Sequence, residues 1–163
     1  MQPVSSQNRN IVLASGSPRR LALVRRLGFE AQVVISDVPE SIRADERPGA
    51  YTRRLAYEKA EDVAGMLDGE SGYSNWILAA DTVVTLGDEL LEKPDDRREA
   101  IEMLEKLSGT HHDVITSFCW LARDGRDDSI VTVDARVAFR QLDTPTIERY
   151  VDTGEPFDKA GGY

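Results

Sequence analysis

The chain has 163 residues, which is enough for one well-packed domain and too few for two domains of ordinary size. Its formal charge of −9, from 29 acidic and 20 basic residues, argues against a general polynucleotide-binding protein, because such proteins depend on many contacts from Lys and Arg to phosphates. No apolar run approaches the length that spans a membrane, which argues against a membrane protein.

The first ten residues and the single cysteine bear on the cellular compartment of the protein. Residues 1–10 are polar and lack the apolar stretch of a secretion signal, so we expect a short disordered leader before one domain over residues 11–163. Cys119 cannot form an intrachain disulfide and lies in an apolar, strand-like run, where a small buried hydrophobic residue is a more common role than a nucleophile. These features favour a reducing, cytoplasmic setting.

The first predicted strand leads directly into a capped helix. Residues 11–13 predict the end of a buried strand, and Ser15-Gly16-Ser17 a small loop. Pro18 fits the first position of a helix, with Ser17 as its N-cap and Gly28 just past its end. We therefore predict a helix over residues 18–27.

Arg19 and Arg20 fall in the first turn of this helix, where unpaired backbone N–H groups already carry partial positive charge. Two cations there are mildly unfavourable unless an anion binds, in which case the helix amides, the guanidinium groups and the hydroxyls of Ser15 and Ser17 converge on it. The pattern is neither a Walker loop nor the glycine-rich dinucleotide turn. It favours an oligophosphate site, and the alternative is an ordinary capped helix with two solvated arginines.

A strand, a polar connection and a long helix follow. Residues 29–35 predict the strand, and residues 36–47 the connection, which contains Glu40; a solvated surface carboxylate is the usual role for such a residue. Pro48 opens a helix to about residue 67 with apolar residues at helical spacing. Lys59 lies near its middle, where an exposed cation is the default.

An acidic residue interrupts an otherwise apolar strand pattern. Residues 76–80 and 83–86 lie on either side of Asp81, and residues 89–93 return as a hairpin partner. A carboxylate among buried residues is expensive unless it is paired, metal-bound or at the edge of a cleft, although an Asp at a bulge or strand end is the simpler alternative. Lys93 follows the returning strand, where its cation would point at the same cleft.

The rest of the sequence alternates helices and strands. We predict a third helix capped by Asp95 or Asp96 and ended by Gly109, a hairpin of residues 114–123 and 129–140, and a fourth helix from Thr144 to Gly154. Apolar and polar residues alternate along 129–140, which predicts a half-buried strand. His111 and His112 would point to opposite faces of a strand and make a poor joint metal site. The fold class is therefore α/β, a mixed β-sheet with flanking helices and no clean internal boundary.

Six motifs occur in order and at fitting spacings: LASGSPRR, YTRRLAYEKA, AADTVV, LEKP, LSGTHHDVIT and GEPFDKAGGY. With them the sequence resembles the Maf family of nucleoside triphosphate pyrophosphatases from about residue 11 to residue 163. The resemblance implies an elongated, two-lobed fold akin to the inosine-triphosphate pyrophosphatases, and a divalent metal cation, Mg or Mn, as cofactor. It also implies hydrolysis between the α- and β-phosphates of a nucleoside triphosphate.

The resemblance implies a role for each matching residue. Asp81 matches the family's proton acceptor, and Glu40 with Asp81 would supply carboxylate oxygens to the metal. An Asp kept ionised by cations accepts a proton weakly, so its task would include orienting a metal-activated water. The residues expected to bind the nucleoside triphosphate substrate are Ser15, Ser17, Arg19, Arg20, Lys59, Thr82, Lys93 and Lys159.

The motifs also bear on substrate preference. The runs AADTVV and FDKAG resemble the dTTP/UTP branch of the family rather than the 7-methyl-GTP branch, and Arg19 and Thr82 match positions tied to base preference. We therefore expect dTTP and UTP as substrates, with modified pyrimidine nucleotides left open. The family continues beyond Tyr163 with a Gly-Ile-Gln stretch, so we expect the C-terminal part of the family domain to be missing here. A non-catalytic nucleotide-binding regulator of cell division is the alternative, and the sequence leaves open whether the chain forms a homodimer.

Overall fold

A computed structural model describes residues 9–126 and 128–163, so the predicted leader falls mostly outside the described residues. The strands in the described part are β1 Asn10–Ala14, β2 Glu30–Val33, β3 Trp76–Leu86, β4 Glu89–Leu91, β5 His111–Ala122 and β6 Ser129–Ala138. The helices are α1 Pro18–Arg26, α2 Pro48–Met66, α3 Arg97–Leu107 and α4 Thr144–Val151, followed by 3₁₀ turns at Glu155–Asp158 and Ala160–Gly162. None of the described helices combines the length and the apolar character that crossing a membrane would need.

The strands form one mixed sheet. Its order is β2-β1-β3-β5-β6, and β4 pairs with β3 outside this path. β1 runs parallel to both of its neighbours, with Leu13 opposite Val33 of β2 and Leu78 of β3. β3 and β4 form the predicted antiparallel hairpin, in which Val84 lies opposite Leu91. The predicted mixed sheet of an α/β fold is confirmed.

Local signals set the first helix and strands. The hydroxyl of Ser17 accepts a backbone N–H of the first turn of α1, and Gly28 follows the helix with a φ of 84°, a conformation that favours glycine. The predicted cap and end of this helix are thus confirmed. β2 is shorter than predicted, covering only Glu30–Val33, and β3 continues without a break through Asp81.

The chain divides into two compact units, each assembled from three separate stretches. The first unit contains the residues up to Ala44, Arg53–Asp81 and Ser117–Val131. The second unit contains Asp45–Thr52, Thr82–Thr116 and Thr132–Tyr163. Because stretches of the two units alternate along the chain, no single linker marks a boundary in the sequence.

The core of the first unit covers both faces of β1. Ile11 and Leu13 pack with Val24 of α1. The residues that alternate with them, Val12 and Ala14, point to the opposite face of the strand. There they join a cluster that includes the apolar face of α2 and consists of Val12, Ala14, Ala56, Ala60, Val63, Leu67, Ile77, Ala79, Cys119 and Leu121. Each fully buried aliphatic side chain of this kind contributes about 1.5–3 kcal/mol to folding, so α1 and α2 are firmly held.

The core of the second unit is organised by α3. Asp96 caps this helix, because its carboxylate accepts the N–H of Glu99 at 2.8 Å. One side of α3 packs against the β3–β4 hairpin in a cluster of Val84, Leu91, Met103 and Leu107. The other side packs against α4 in a cluster of Ala100, Leu104, Ile147 and Val151.

β6 differs from the prediction. Val131 and Val133 alternate with polar residues as in a half-buried strand, yet they are 41% and 51% exposed. β6 is the last strand in the sheet order, and alternation buries one face of a strand only where another layer covers it. The predicted half-burial is therefore wrong at Val131 and Val133, whereas Val137 and Phe139 of the same predicted face are partly buried. Alternation is a local signal, but a covering layer is not.

Candidate active site

The loop after β1 and the start of α1 form a positively charged site in the first unit. Ser15 is buried, and its hydroxyl accepts the N–H of Ser17 at 3.2 Å. The hydroxyl of Ser17 accepts the N–H of Arg20 at 3.4 Å. The first turn of α1 contains Arg20 and the exposed Arg19 but no acidic residue, so it adds to the positive potential of the helix N-terminus.

Arg20 reaches from α1 to strand β3. Its Nη1 donates to the carbonyl oxygen of Ala80 at 2.7 Å and to the hydroxyl of Ser15 at 3.3 Å. Burial lowers the pKa of Arg20 from its ordinary value, while the carboxylates of Asp81 and Glu40 act in the opposite direction. The guanidinium remains charged, because arginine is not deprotonated in proteins. Arg20 therefore joins the serine loop to the part of β3 that carries Asp81.

A buried ion pair lies next to Arg20. Lys59 Nζ is 2.8 Å from Asp81 Oδ1, and each of these two residues is only 6% exposed. The same ammonium is 2.7 Å from Oε1 of Glu40, whose side chain is 46% exposed. Burying a charge costs several kcal/mol unless close partners compensate it. Lys59 meets this condition by bridging two carboxylates, one buried and one near the surface.

Alternation along β3 explains why Asp81 faces α2. Ile77, Ala79 and Asp81 occupy every second position and are all buried, so their side chains share one face of the strand. Ile77 and Ala79 pack with Ala60 of α2. Lys59, the neighbour of Ala60, meets Asp81 at the end of this row. The carboxylate in the apolar strand is therefore paired, which is one of the alternatives that the sequence left open.

Glu40 and Asp81 are the two predicted metal ligands, and their carboxylates converge on the ammonium of Lys59. In the described ranges, no group of three or more His, Cys, Asp or Glu side chains could hold a metal ion by itself. Mg²⁺ in nucleotide sites usually takes only one or two protein carboxylates and completes its shell with water and substrate phosphates. The two carboxylates fit that pattern.

Three predicted substrate-binding residues belong to the second unit. The hydroxyl of Thr82 is 3.1 Å from that of Thr116. Lys93 is exposed and follows β4. Lys159 Nζ is 2.9 Å from Asp158 Oδ1. Their part in substrate binding stays a prediction.

Further contacts near the site lie outside the sequence predictions. Arg54, Glu58 and Asp62 follow one face of α2 at i, i+4 spacing, and each contacts the connection between β2 and α2. The spacing is visible in the sequence, but the loop that these residues contact has no periodicity that would identify their partners. The carbonyl oxygen of Ala80 accepts a hydrogen bond from Arg20. The sequence could not identify this acceptor, because every residue has a backbone carbonyl.

Comparison with known proteins agrees with the resemblance. The family model described as Maf-like protein matches residues 10–163. The chain is 46% identical over 153 residues to a dTTP/UTP pyrophosphatase of Myxococcus xanthus, and the aligned region covers 94% of this chain and 74% of the relative. It is 43% identical over 155 residues to a dTTP/UTP pyrophosphatase of Hahella chejuensis, and this aligned region covers 95% of this chain and 75% of the relative.

Among solved structures, the Ham1 protein of Staphylococcus aureus superimposes with a TM-score of 0.50. The match covers 79% of this chain and 71% of that one, at 14% sequence identity. At this identity the likeness bears on the fold alone, and it agrees with the mixed α/β architecture.

Proposed function

The chain belongs to the Maf family, and from this premise we propose that it hydrolyses dTTP and UTP in the cytoplasm, releasing the nucleoside monophosphate and pyrophosphate. The observation that carries the proposal is the buried pair of Lys59 and Asp81, 2.8 Å apart, next to the guanidinium of Arg20. A cation, a carboxylate and an anion-binding helix end can together bind a triphosphate and direct a water molecule at it.

The phosphates bind at the start of α1. Arg19 and Arg20 supply guanidinium groups that match phosphate oxygens in charge and geometry, and the helix N-terminus supplies amides. The hydroxyls of Ser15 and Ser17 already lie in the same network of hydrogen bonds. Each hydrogen bond to a charged group contributes about 1.5–3 kcal/mol, so a few of them account for substantial affinity.

Asp81 acts on the attacking water. Its carboxylate faces the positive charges of Lys59 and Arg20, and a carboxylate oxygen held there can accept or orient a proton of the water. Lys59 fixes the orientation of Asp81 and offsets negative charge that develops on the phosphates during the reaction. Cleavage between the α- and β-phosphates then yields two products that both carry negative charge.

Glu40 and Asp81 would hold the divalent cation that the family uses. When bound, such a cation neutralises phosphate charge and lowers the pKa of a coordinated water. We expect Mg or Mn to serve, and removal of divalent cations with a chelator to abolish turnover. Thr82, Lys93 and Lys159 are proposed to contribute further substrate contacts, and Arg19 and Thr82 to help select the base.

The test is a comparison of kcat/KM for pyrophosphate release from dTTP, UTP, CTP and 7-methyl-GTP in the presence of Mg²⁺. We expect kcat/KM for dTTP and UTP to exceed the values for the other two by at least about tenfold. A wrong base would leave buried polar groups of the site unpaired and is therefore rejected. A preference for 7-methyl-GTP would overturn the proposed substrate class. Absence of pyrophosphate with all four nucleotides would overturn the proposed activity.

A further inference from the structure

The connection that carries Glu40 has no regular structure of its own. Residues 34–47 form neither helix nor strand between β2 and α2. A segment of this kind loses much conformational entropy when one of its side chains is held in a fixed position. Something outside the segment must therefore hold Glu40 2.7 Å from the ammonium of Lys59.

Arg54 of α2 contacts the backbone directly beside Glu40. Its Nη2 donates to the carbonyl oxygen of Ser41, the next residue in the chain, at 3.0 Å. Its Nη1 donates to Oε2 of Glu58 at 2.8 Å, and the side chain is only 14% exposed. A guanidinium that is removed from water and holds two acceptors fixes both of them more firmly than an exposed pair would.

Glu58 links the same segment to α2 a second time. One carboxylate oxygen accepts from Arg54, and the other accepts from Arg43 Nη2 at 2.8 Å. Arg54 and Glu58 therefore contact the segment on both sides of residue 42. Neither residue contacts the buried carboxylate of Asp81 in these hydrogen bonds, so both act on the site through the segment.

We propose that Arg54 and Glu58 are positioning residues that hold Glu40 in place for the reaction, an inference that rests on the proposed function. Their effect on catalysis passes through Glu40, because the network fixes the backbone that carries this carboxylate. Displacing a catalytic group by about 1 Å can cost around 10²-fold in rate. Loss of the network should therefore lower the rate while the substrate-binding groups of α1 stay intact.

Arg53 provides a matched control. It is the neighbouring arginine on the same helix, it is exposed, and its Nη1 donates to the carbonyl oxygen of Ile130 at 3.2 Å rather than to the segment. We expect Arg54→Ala to lower kcat/KM for dTTP by about 10- to 100-fold. Arg53→Ala should stay within about threefold of the wild type, as is usual for an exposed side chain.

A double-mutant cycle separates positioning from a direct role. In an E40Q background, adding Arg54→Ala should cost less than about threefold, because the group that Arg54 positions is already lost. Equal losses in the wild-type and E40Q backgrounds would overturn the proposal and indicate that Arg54 contacts the substrate or supports the fold in general. A similar loss in Arg53→Ala would overturn it as well.

Limited digestion with trypsin gives a readout that does not depend on activity. Cleavage after Arg43, followed by mass spectrometry, should be at least about fivefold faster in Arg54→Ala than in Arg53→Ala at equal thermal midpoints, because the segment is released from α2. Equal cleavage rates would overturn the proposal. If the wild type released no pyrophosphate, the proposed function would fail, whereas the digestion would still decide whether Arg54 holds the segment.

Discussion

Each of the two compact units buries a titratable group, but the two groups are held in different ways. In the first unit, Lys59 and Asp81 are both charged residues and lie 2.8 Å apart. In the second unit, His112 is surrounded by the rings of Phe139 and Tyr163, and its Nε2 is 2.5 Å from the Tyr163 hydroxyl. Its Nδ1 has no hydrogen-bond partner among the described residues.

The difference supports the proposed division of roles between the two buried polar groups. A buried ion pair adds little net stability, since well-packed apolar residues of the same size are often as good or better. The first unit nevertheless keeps one, beside an arginine and a helix N-terminus that favour an anion. His112 instead contributes aromatic packing, and burial lowers its pKa, which favours the neutral ring. The contrast is therefore consistent with the proposal that the pair serves catalysis, whereas the contacts of the histidine indicate a role in stability.

The largest effect is expected from Asp81→Asn. The amide keeps the size of the side chain but cannot accept the proton of the attacking water, so kcat should fall by about 10²- to 10⁴-fold. Pyrophosphate release from dTTP measures the loss. Asp68→Asn, which alters an exposed carboxylate of the same unit, is the control and should retain activity. Wild-type turnover in Asp81→Asn would remove the catalytic assignment.

Replacing the whole pair tests whether it serves stability. The double variant Lys59→Met with Asp81→Leu should be inactive, yet its free energy of unfolding should stay within about 2 kcal/mol of the wild type or exceed it, because both charges of the pair are removed together while Arg20 keeps its hydrogen bonds to Ala80 and Ser15. Urea denaturation gives the comparison. A loss above about 4 kcal/mol would mean that the pair is mainly structural, and the contrast between the units would disappear.

His112 should affect the pH dependence of the free energy of unfolding rather than the enzymatic activity. Because burial lowers its pKa, the unfolded state binds the proton first as the pH falls below about 6.5, and the free energy of unfolding should decrease by up to about 1.4 kcal/mol per pH unit. His112→Phe should remove this contribution between pH 7.5 and pH 5.5. His111→Gln, a change at the exposed neighbour, is the control, and equal slopes in the wild type and His112→Phe would contradict the account.

The smallest effect concerns the thiol in the core of the first unit. Burial raises the pKa of Cys119 to about 11, so almost no thiolate is present at pH 8. Iodoacetamide should leave the folded protein unmodified and should label Cys119 in 6 M guanidinium chloride. Rapid labelling of the native protein would show that this thiol is accessible, contrary to its place in the apolar cluster.

The sequence predicted features that depend on a few neighbouring residues. Ser17 and Gly28 mark the start and end of α1, and both are confirmed because caps are local interactions. The fully buried Cys119 also agrees with its apolar surroundings in the sequence. The grouping of Ser15, Arg20 and Asp81 was expected from the family resemblance, and the structure brings these residues together in the first unit.

Features that depend on distant parts of the chain were harder to predict. The pairing of Lys59 with Asp81 joins α2 to β3. It depends on how these two elements pack against each other, and the sequence of neither element specifies that packing. The burial of Val131 and Val133 in β6 was predicted wrongly because it depends on a covering layer. Arg54 and Glu58 were missed because their partners lie in a segment without periodicity.

The central claim is that this chain cleaves a pyrimidine nucleoside triphosphate between its α- and β-phosphates. The most direct test is a phosphorus NMR time course of the wild-type protein with dTTP and Mg²⁺. The account predicts that dTMP and pyrophosphate appear together in equal amounts while no dTDP accumulates. Appearance of dTDP with orthophosphate would contradict it.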